Sequence, residues 1–194
     1  MCEGEPLGPN TGPDAALDAT CYDRIFEREY PDVKFISVGS SNQVEADRLA
    51  LMKAMTTLVS GIEVIRLIDR DDHSPQDIAD RNRHGIRVLS LRNIECYLYD
   101  DEVLTALCKS VGKEDLTDAL LAEKQKAVEE ISRQGKPADD IKSAAGLIYN
   151  AAKKILSLTA QGNSSKAFMR STLAPLITPE MTIYKRLKSD IFKE

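Results

Sequence analysis

The sequence has no stretch that approaches the ~18 continuous apolar residues of a membrane-spanning helix. Its start, "MCEGEPLGPN", lacks the basic-then-apolar order of a secretory leader. A cytoplasmic protein without membrane contact is the resulting expectation. Cysteine is scarce. Cys2, Cys21, Cys96 and Cys108 lie far apart with no CxxC pair, which argues against both a zinc site and a disulfide framework. The two histidines, His73 and His84, have no histidine partner at helical spacing and read as surface residues. A GxxxxGK[ST] phosphate loop is also missing, so these residues contain no P-loop ATPase.

What is present suits a folded α/β protein. With 194 residues, 42% of them hydrophobic, the chain is long enough to bury a core. Charge is unevenly distributed. Residues 1–108 carry 20 acidic and 11 basic side chains, a net of -9, whereas residues 109–194 carry 11 and 15, a net of +4. A cation site beside a polyanion-contacting surface fits this division, and so do ordinary solvated faces.

Short β-rich runs at Val33–Val38, Ile62–Ile68 and Ile86–Leu91 are separated by helical patterns over Asp14–Glu29, Asn42–Val59 and Pro75–Arg83. That alternation predicts βαβ units and a mostly parallel sheet. Ser74-Pro75 reads as an N-cap followed by a first-turn proline, and Gly85 as the C-terminal glycine of the same helix. From Leu116 to Phe192 the pattern becomes one of about four helices, broken near Arg133–Asp140, Gln161–Ser165 and Leu176–Met181. Two regions follow: an α/β domain over 1–108 and a helical subdomain over 109–194. The Gly- and Pro-rich "EGEPLGPNTGP" leaves only Met1 and Cys2 to end a strand. This predicts either a three-stranded sheet or a module whose first strand is completed by upstream residues.

The most informative stretch is "IRLIDRDDHSP", Ile65–Pro75, where an apolar run ends on Asp69. Functional groups of open α/β sheets gather at the carboxyl ends of strands. If extended geometry continues, Asp69 and Asp71 point the same way, and their like charges call for a proton or a hard cation such as Mg²⁺ or Mn²⁺ between them. An acidic phosphorylation-type pocket and plain turn aspartates are the other readings. Asp72 either contributes or caps the following helix. Gly39-Ser40-Ser41 is either a phosphate-approaching turn or an ordinary cap, and Tyr97 and Tyr99 read as packing residues in apolar surroundings.

Taken together, "CEGE" at 2–5, "FISVGSSNQV" at 35–44, "LIDRDD" at 67–72 and "LRNIECYLYDDEVL" at 91–104 occur in an order and spacing that resembles the Toprim domain. The resemblance is to the type found in OLD-family nucleases and in Toprim proteins linked to ABC-type ATPases of phage defence. It implies a Rossmannoid parallel sheet with helices on both faces, followed by the helical part. It implies an acidic residue at the end of the first strand, Glu3, and the DxD pair Asp69 and Asp71, holding one or two Mg²⁺ or Mn²⁺ ions, with Glu3 a ligand or the general base. Glu95 and Asp72 become further candidate ligands. Lys166 in "GNSSKAF" is the candidate for countering transition-state charge, and a solvated surface lysine is its plain alternative.

The implied activity is metal-dependent endonuclease cleavage or nicking, of DNA more readily than RNA. The implied partner is an ABC-type ATPase, in cis or as a separate chain, and a homodimer is a further expectation. The alternative function is a non-catalytic Toprim scaffold that docks to that ATPase or binds nucleic acid.

Overall fold

The computed structural model describes the chain apart from residues 9, 10, 13, 47–50, 59, 160–163 and 194. The chain divides into two compact units: Met1–Ser90 with Leu187–Glu194, and Leu91–Arg186. Residues 91–108, grouped by the sequence pattern with the α/β part, thus belong to the second unit. Their helices pack on α-helices of that unit, and the end of the last helix returns to the first.

The first unit contains α1 (Leu17–Phe26), α2 (Ser41–Glu45), α3 (Leu51–Leu58), β1 (Arg66–Ile68), α4 (Pro75–Arg83) and β2 (Ile86–Val88). The architecture is mixed α/β and mostly helical, and β1 and β2 form a two-stranded parallel sheet in the register Arg66 to Ile86. The larger sheet expected from three β-rich runs is therefore reduced, among the described residues, to this pair and two isolated bridges, Cys2 with Ser37 and Gly4 with Gly39. Hydrogen bonds nevertheless align four segments. Cys2 N–H donates to the Ile36 carbonyl at 2.9 Å and Val38 N–H to that of Cys2 at 3.1 Å, while Leu67 N–H donates to Met1 at 2.8 Å and Leu89 N–H to Ile68 at 3.0 Å. The order across the unit is 36–39, 1–4, 65–68, 86–89.

Local chemistry explains the helices. Ser74 caps α4, accepting from Asp77 N–H at 3.2 Å while Asp77 Oδ2 accepts from Ser74 N–H at 3.1 Å, with Pro75 in the first turn. Gly85 closes the helix at φ 72°, a conformation that costs glycine little. Of the helix expected over Asn42–Val59, the described residues form α2, with Ala46 as its C-cap, and α3, while 47–50 and 59 lie outside the described residues.

Burial unites these pieces. Val38, Val44, Ile68, Ile86 and Val88 form an apolar core, with Met1, Ile36 and Ile78 packed against it. A second cluster is aromatic: Phe192 stacks on Tyr30 at 4.3 Å and meets Phe26 edge-on at 5.3 Å, and Phe26 and Tyr22 both pack on Phe35. Asp190 secures the same C-terminal segment by accepting from Ser90 N–H at 3.0 Å and from its hydroxyl at 2.9 Å.

The second unit holds α5 (Ile94–Leu98), α6 (Asp101–Ser110), α7 (Thr117–Arg133), α8 (Ile141–Ile155) and α9 (Ser165–Phe168). A π-turn over Met169–Leu173, a 3₁₀ turn over Ala174–Leu176 and the start of α10 (Thr182–Phe192) complete it. α7 and α8 pair as a hairpin across the break expected near Arg133–Asp140. Asp140 caps α8, accepting from Ser143 N–H at 3.0 Å. Tyr149 of α8 packs on Phe168, ring centres 5.2 Å apart.

Glu102 of α6 accepts from Ile183 N–H at 2.9 Å, supplying a partner to a donor in the first turn of α10. That bond holds the Glu102 carboxyl below its ordinary value. A carboxyl depressed in the folded state stabilises it above the unfolded pKa, and the contribution is lost as pH falls through the lowered native value. The Tm difference between wild type and Glu102→Gln is therefore expected to be positive at neutral pH and to shrink on acidification. A thermal melt series from neutral to acidic pH checks this; a difference independent of pH would contradict it.

Candidate functional site

Two acidic residues from distant parts of the sequence meet in the first unit, and a third, Asp18, lies close to the backbone of Gly4. Glu3 follows the segment that pairs with Ser37 on one side and β1 on the other, and Asp69 immediately follows β1. Asp69 N–H donates to Glu3 Oε1 at 3.1 Å, across 66 positions of sequence. This bond orients the Glu3 carboxylate at the end of β1. Asp69 itself is 6% exposed, so its carboxylate is held within the fold and not in a solvated loop.

The third acid, Asp18, is one that the sequence reading missed. It sits half-buried in the first turn of α1. A methyl group built on Gly4 would stand 3.6 Å from Asp18 Oδ2 and 2.8 Å from Ser37 Oγ. Gly4, at φ 121°, thus lets the backbone beside Glu3 run close to Asp18 and Ser37 where another residue would be obstructed and strained. The available signal was the spacing of the run "LDATCYDRIF", which turns Ala19, Tyr22 and Phe26 inward and leaves Asp18 at the start of the helix.

Electrostatics reflect the same convergence. The buried Cys2 thiol is pushed up from about 9 to about 12, first by burial and further by the negative charges of Asp18 and Asp69, against the opposing Met1 ammonium. At its end of the segment the Met1 ammonium donates to the Ile65 carbonyl at 2.6 Å, and burial lowers its pKa.

Asp71 has φ 41° and is exposed, so the extended path ends before it and the alternation that would have aligned it with Asp69 does not hold. A turn at Asp71 and Asp72 replaces the strand. Asp72 is exposed and does not cap α4, a role taken by Ser74. Glu95 is buried in the first turn of α5, in the second unit, shortly after segment 86–89. Lys166 lies in the first turn of α9, also in the second unit, behind the cap Ser164, which accepts from Ala167 N–H at 3.0 Å.

Other readings are resolved by contacts. Gly39 and Ser40 form a capped turn: Gln43 Oε1 accepts from Ser40 N–H at 2.8 Å. Tyr97 and Tyr99 are fully buried, and the Tyr97 hydroxyl accepts from Leu91 N–H at 3.1 Å, in keeping with packing. His84 is exposed, its Nδ1 2.8 Å from the Asp80 carbonyl.

Among the described residues, no group of three or more His, Cys, Asp and Glu side chains could hold a metal ion. The donor chemistry of Glu3, Asp69 and Asp18 is nonetheless all oxygen. Mg²⁺ is usually bound by one or two carboxylates together with waters and substrate phosphates, and the Glu3 carboxylate, held at the end of β1 by the Asp69 amide, is a donor of that type. No helix of the described residues is long and apolar enough to cross a membrane. No protein-family model matches the chain, and neither a curated protein nor a solved structure does.

Proposed function

We propose that this chain is a Toprim-type phosphodiesterase that nicks or cleaves nucleic acid, DNA in preference to RNA, with a divalent metal ion held by Glu3 and Asp69. The observation that carries the reading is the 3.1 Å bond from Asp69 N–H to Glu3 Oε1. The hydrogen-bonded order of segments supports it. Numbered along the chain, they lie side by side as second, first, third, fourth, and connections from the first and third segments leave in opposite directions. In doubly wound sheets ligands bind in the crevice at the carboxyl ends where that order reverses, which here is where Glu3 and Asp69 meet.

When bound, Mg²⁺ or Mn²⁺ would supply an activated water and neutralise charge on the scissile phosphate. The chain's own residues orient and confine. The Asp69 amide fixes the Glu3 carboxylate, burial fixes Asp69, and the absence of a side chain at Gly4 leaves room for Asp18 next to the backbone there. Asp18 serves as a third carboxylate, positioning the pair or receiving a proton from water. Asp71 and Asp72, exposed in the turn that follows, are not needed for this arrangement. The resemblance extends the proposal to an ABC-type ATPase as the regulating partner.

The test is Mn²⁺- or Mg²⁺-dependent nicking of supercoiled plasmid by the purified chain. Glu3→Gln and Asp69→Asn are each expected to lower the rate on the order of 100-fold, since loss even of outer partners of a metal site costs about 10–100-fold. Asp71→Asn is expected to stay within about twofold, with circular dichroism confirming that all variants are folded. Nicking by Asp69→Asn at the wild-type rate would remove the proposed site. Wild-type protein that binds plasmid without nicking it would favour the scaffold reading, in which the chain docks and does not turn over.

A further inference from the structure

Residues 1–4 begin by alternating their backbone bonds as a parallel strand does. Met1 bonds to the β1 side, its nitrogen donating to the Ile65 carbonyl at 2.6 Å and its carbonyl accepting from Leu67 N–H at 2.8 Å. Cys2 bonds to the other neighbour, donating to the Ile36 carbonyl at 2.9 Å and accepting from Val38 N–H at 3.1 Å. Carried one residue further, the alternation returns Glu3 to β1 and brings its carbonyl to Asp69 N–H. The structure departs from the ladder there. The Asp69 amide goes to the Glu3 side chain, Oε1 at 3.1 Å, and the Glu3 carbonyl accepts from the Ser37 hydroxyl at 3.3 Å.

Ser37 is placed for that exchange. It is a buried polar residue, so its hydroxyl needs a partner within the fold, and the Cys2 thiol, 3.9 Å away, is a weaker one than a carbonyl. A Cβ on Gly4 would stand 2.8 Å from Ser37 Oγ, so the hydroxyl fits only beside a glycine, and Gly4 leaves the extended path at φ 121°. The N–H of the same Glu3–Gly4 peptide donates to the Gly39 carbonyl at 2.9 Å. Residues 37–39 thus hold both polar ends of one peptide.

We propose that Ser37 is a positioning residue for the metal-binding carboxylate. Its hydroxyl draws the Glu3 carbonyl out of the ladder, and the Asp69 amide left over by that move orients the Glu3 side chain instead. Ser37 touches neither metal nor substrate. The role rests on the reading of Glu3 as a metal donor, but the acceptor of the Asp69 amide is a property of the metal-free chain and is measured without it.

The test compares wild type, Ser37→Ala and Ser37→Thr in the full chain. Through-hydrogen-bond NMR coupling from the Asp69 amide identifies its acceptor carbon. Wild type and Ser37→Thr, which keeps the hydroxyl, are expected to couple to the Glu3 side-chain carboxyl; Ser37→Ala is expected to lose that coupling while Leu67 keeps its coupling to the Met1 carbonyl. In plasmid nicking, Ser37→Ala is expected to raise the half-saturating Mn²⁺ concentration about tenfold, with the maximal rate within about twofold of wild type. Retention of the carboxyl coupling in Ser37→Ala would overturn the proposal, and so would simultaneous loss of the Leu67 coupling, which marks general loosening of the sheet. A wild-type chain that shows the coupling and never nicks would remove the phosphodiesterase reading and leave the action of Ser37 on Glu3 standing.

Discussion

Gly39→Val is expected to destabilise the protein by about 2–4 kcal/mol, through backbone strain and the loss of a helix cap. Gly39 has φ 113°, where a β-branched residue is strongly disfavoured, and a Cβ built on it would lie 1.9 Å from Gln43 Oε1. That oxygen accepts from Ser40 N–H and begins α2, so the side chain that must move is the one holding the turn. Gly39 also exchanges a pair of 2.9 Å backbone bonds with Gly4, the neighbour of Glu3, so the same strain reaches the candidate site. Urea denaturation of the variant checks the magnitude. Adding Gln43→Ala relieves the collision but not the positive φ, so the double variant should remain less stable than Gln43→Ala alone; equality between those two would show that φ carries no cost.

Phe168→Ala is expected to cost about 3–5 kcal/mol, the range for emptying a large aromatic site in a close-packed core. Phe168 is fully buried, lies at the junction of α9 with the π-turn and packs on Tyr149 of α8. Truncation leaves a hole lined by residues that two helical elements hold in place, so collapse around it is restricted. Phe168→Leu, which keeps most of the volume, should cost about 1 kcal/mol. The midpoint of urea unfolding is the measurement, with the slope unchanged. A loss below about 1 kcal/mol for the alanine variant would mean that the site relaxes, contrary to the packing described.

The legible parts of the fold were those governed by neighbours in sequence. Helix α4 was readable from Ser74, Pro75 and Gly85 because capping is a local exchange of hydrogen bonds over three or four residues. The α7–α8 break and the amphipathic runs of the second unit were readable for the same reason. The strand lengths were not. Val33–Val38 and Ile62–Ile68 have the composition of strands, but pairing depends on what lies beside them, and over residues 33–35 and 62–64 nothing among the described residues does.

The candidate site divides along the same line. That Asp69 ends an apolar run and that Glu3 precedes a glycine are properties of the sequence, and both pointed to carboxylates at strand ends. Extrapolating the strand to Asp71 failed because a single positive φ in a turn removes the two-residue period on which the argument stood. Sequence by itself determined which acids were available and where α4 begins and stops, because its caps are local. Only the tertiary structure decided which acids meet: Glu3 and Asp69 are joined across 66 positions, and Asp18 is brought beside Gly4, by parallel pairing and the packing of α1, which no local pattern encodes.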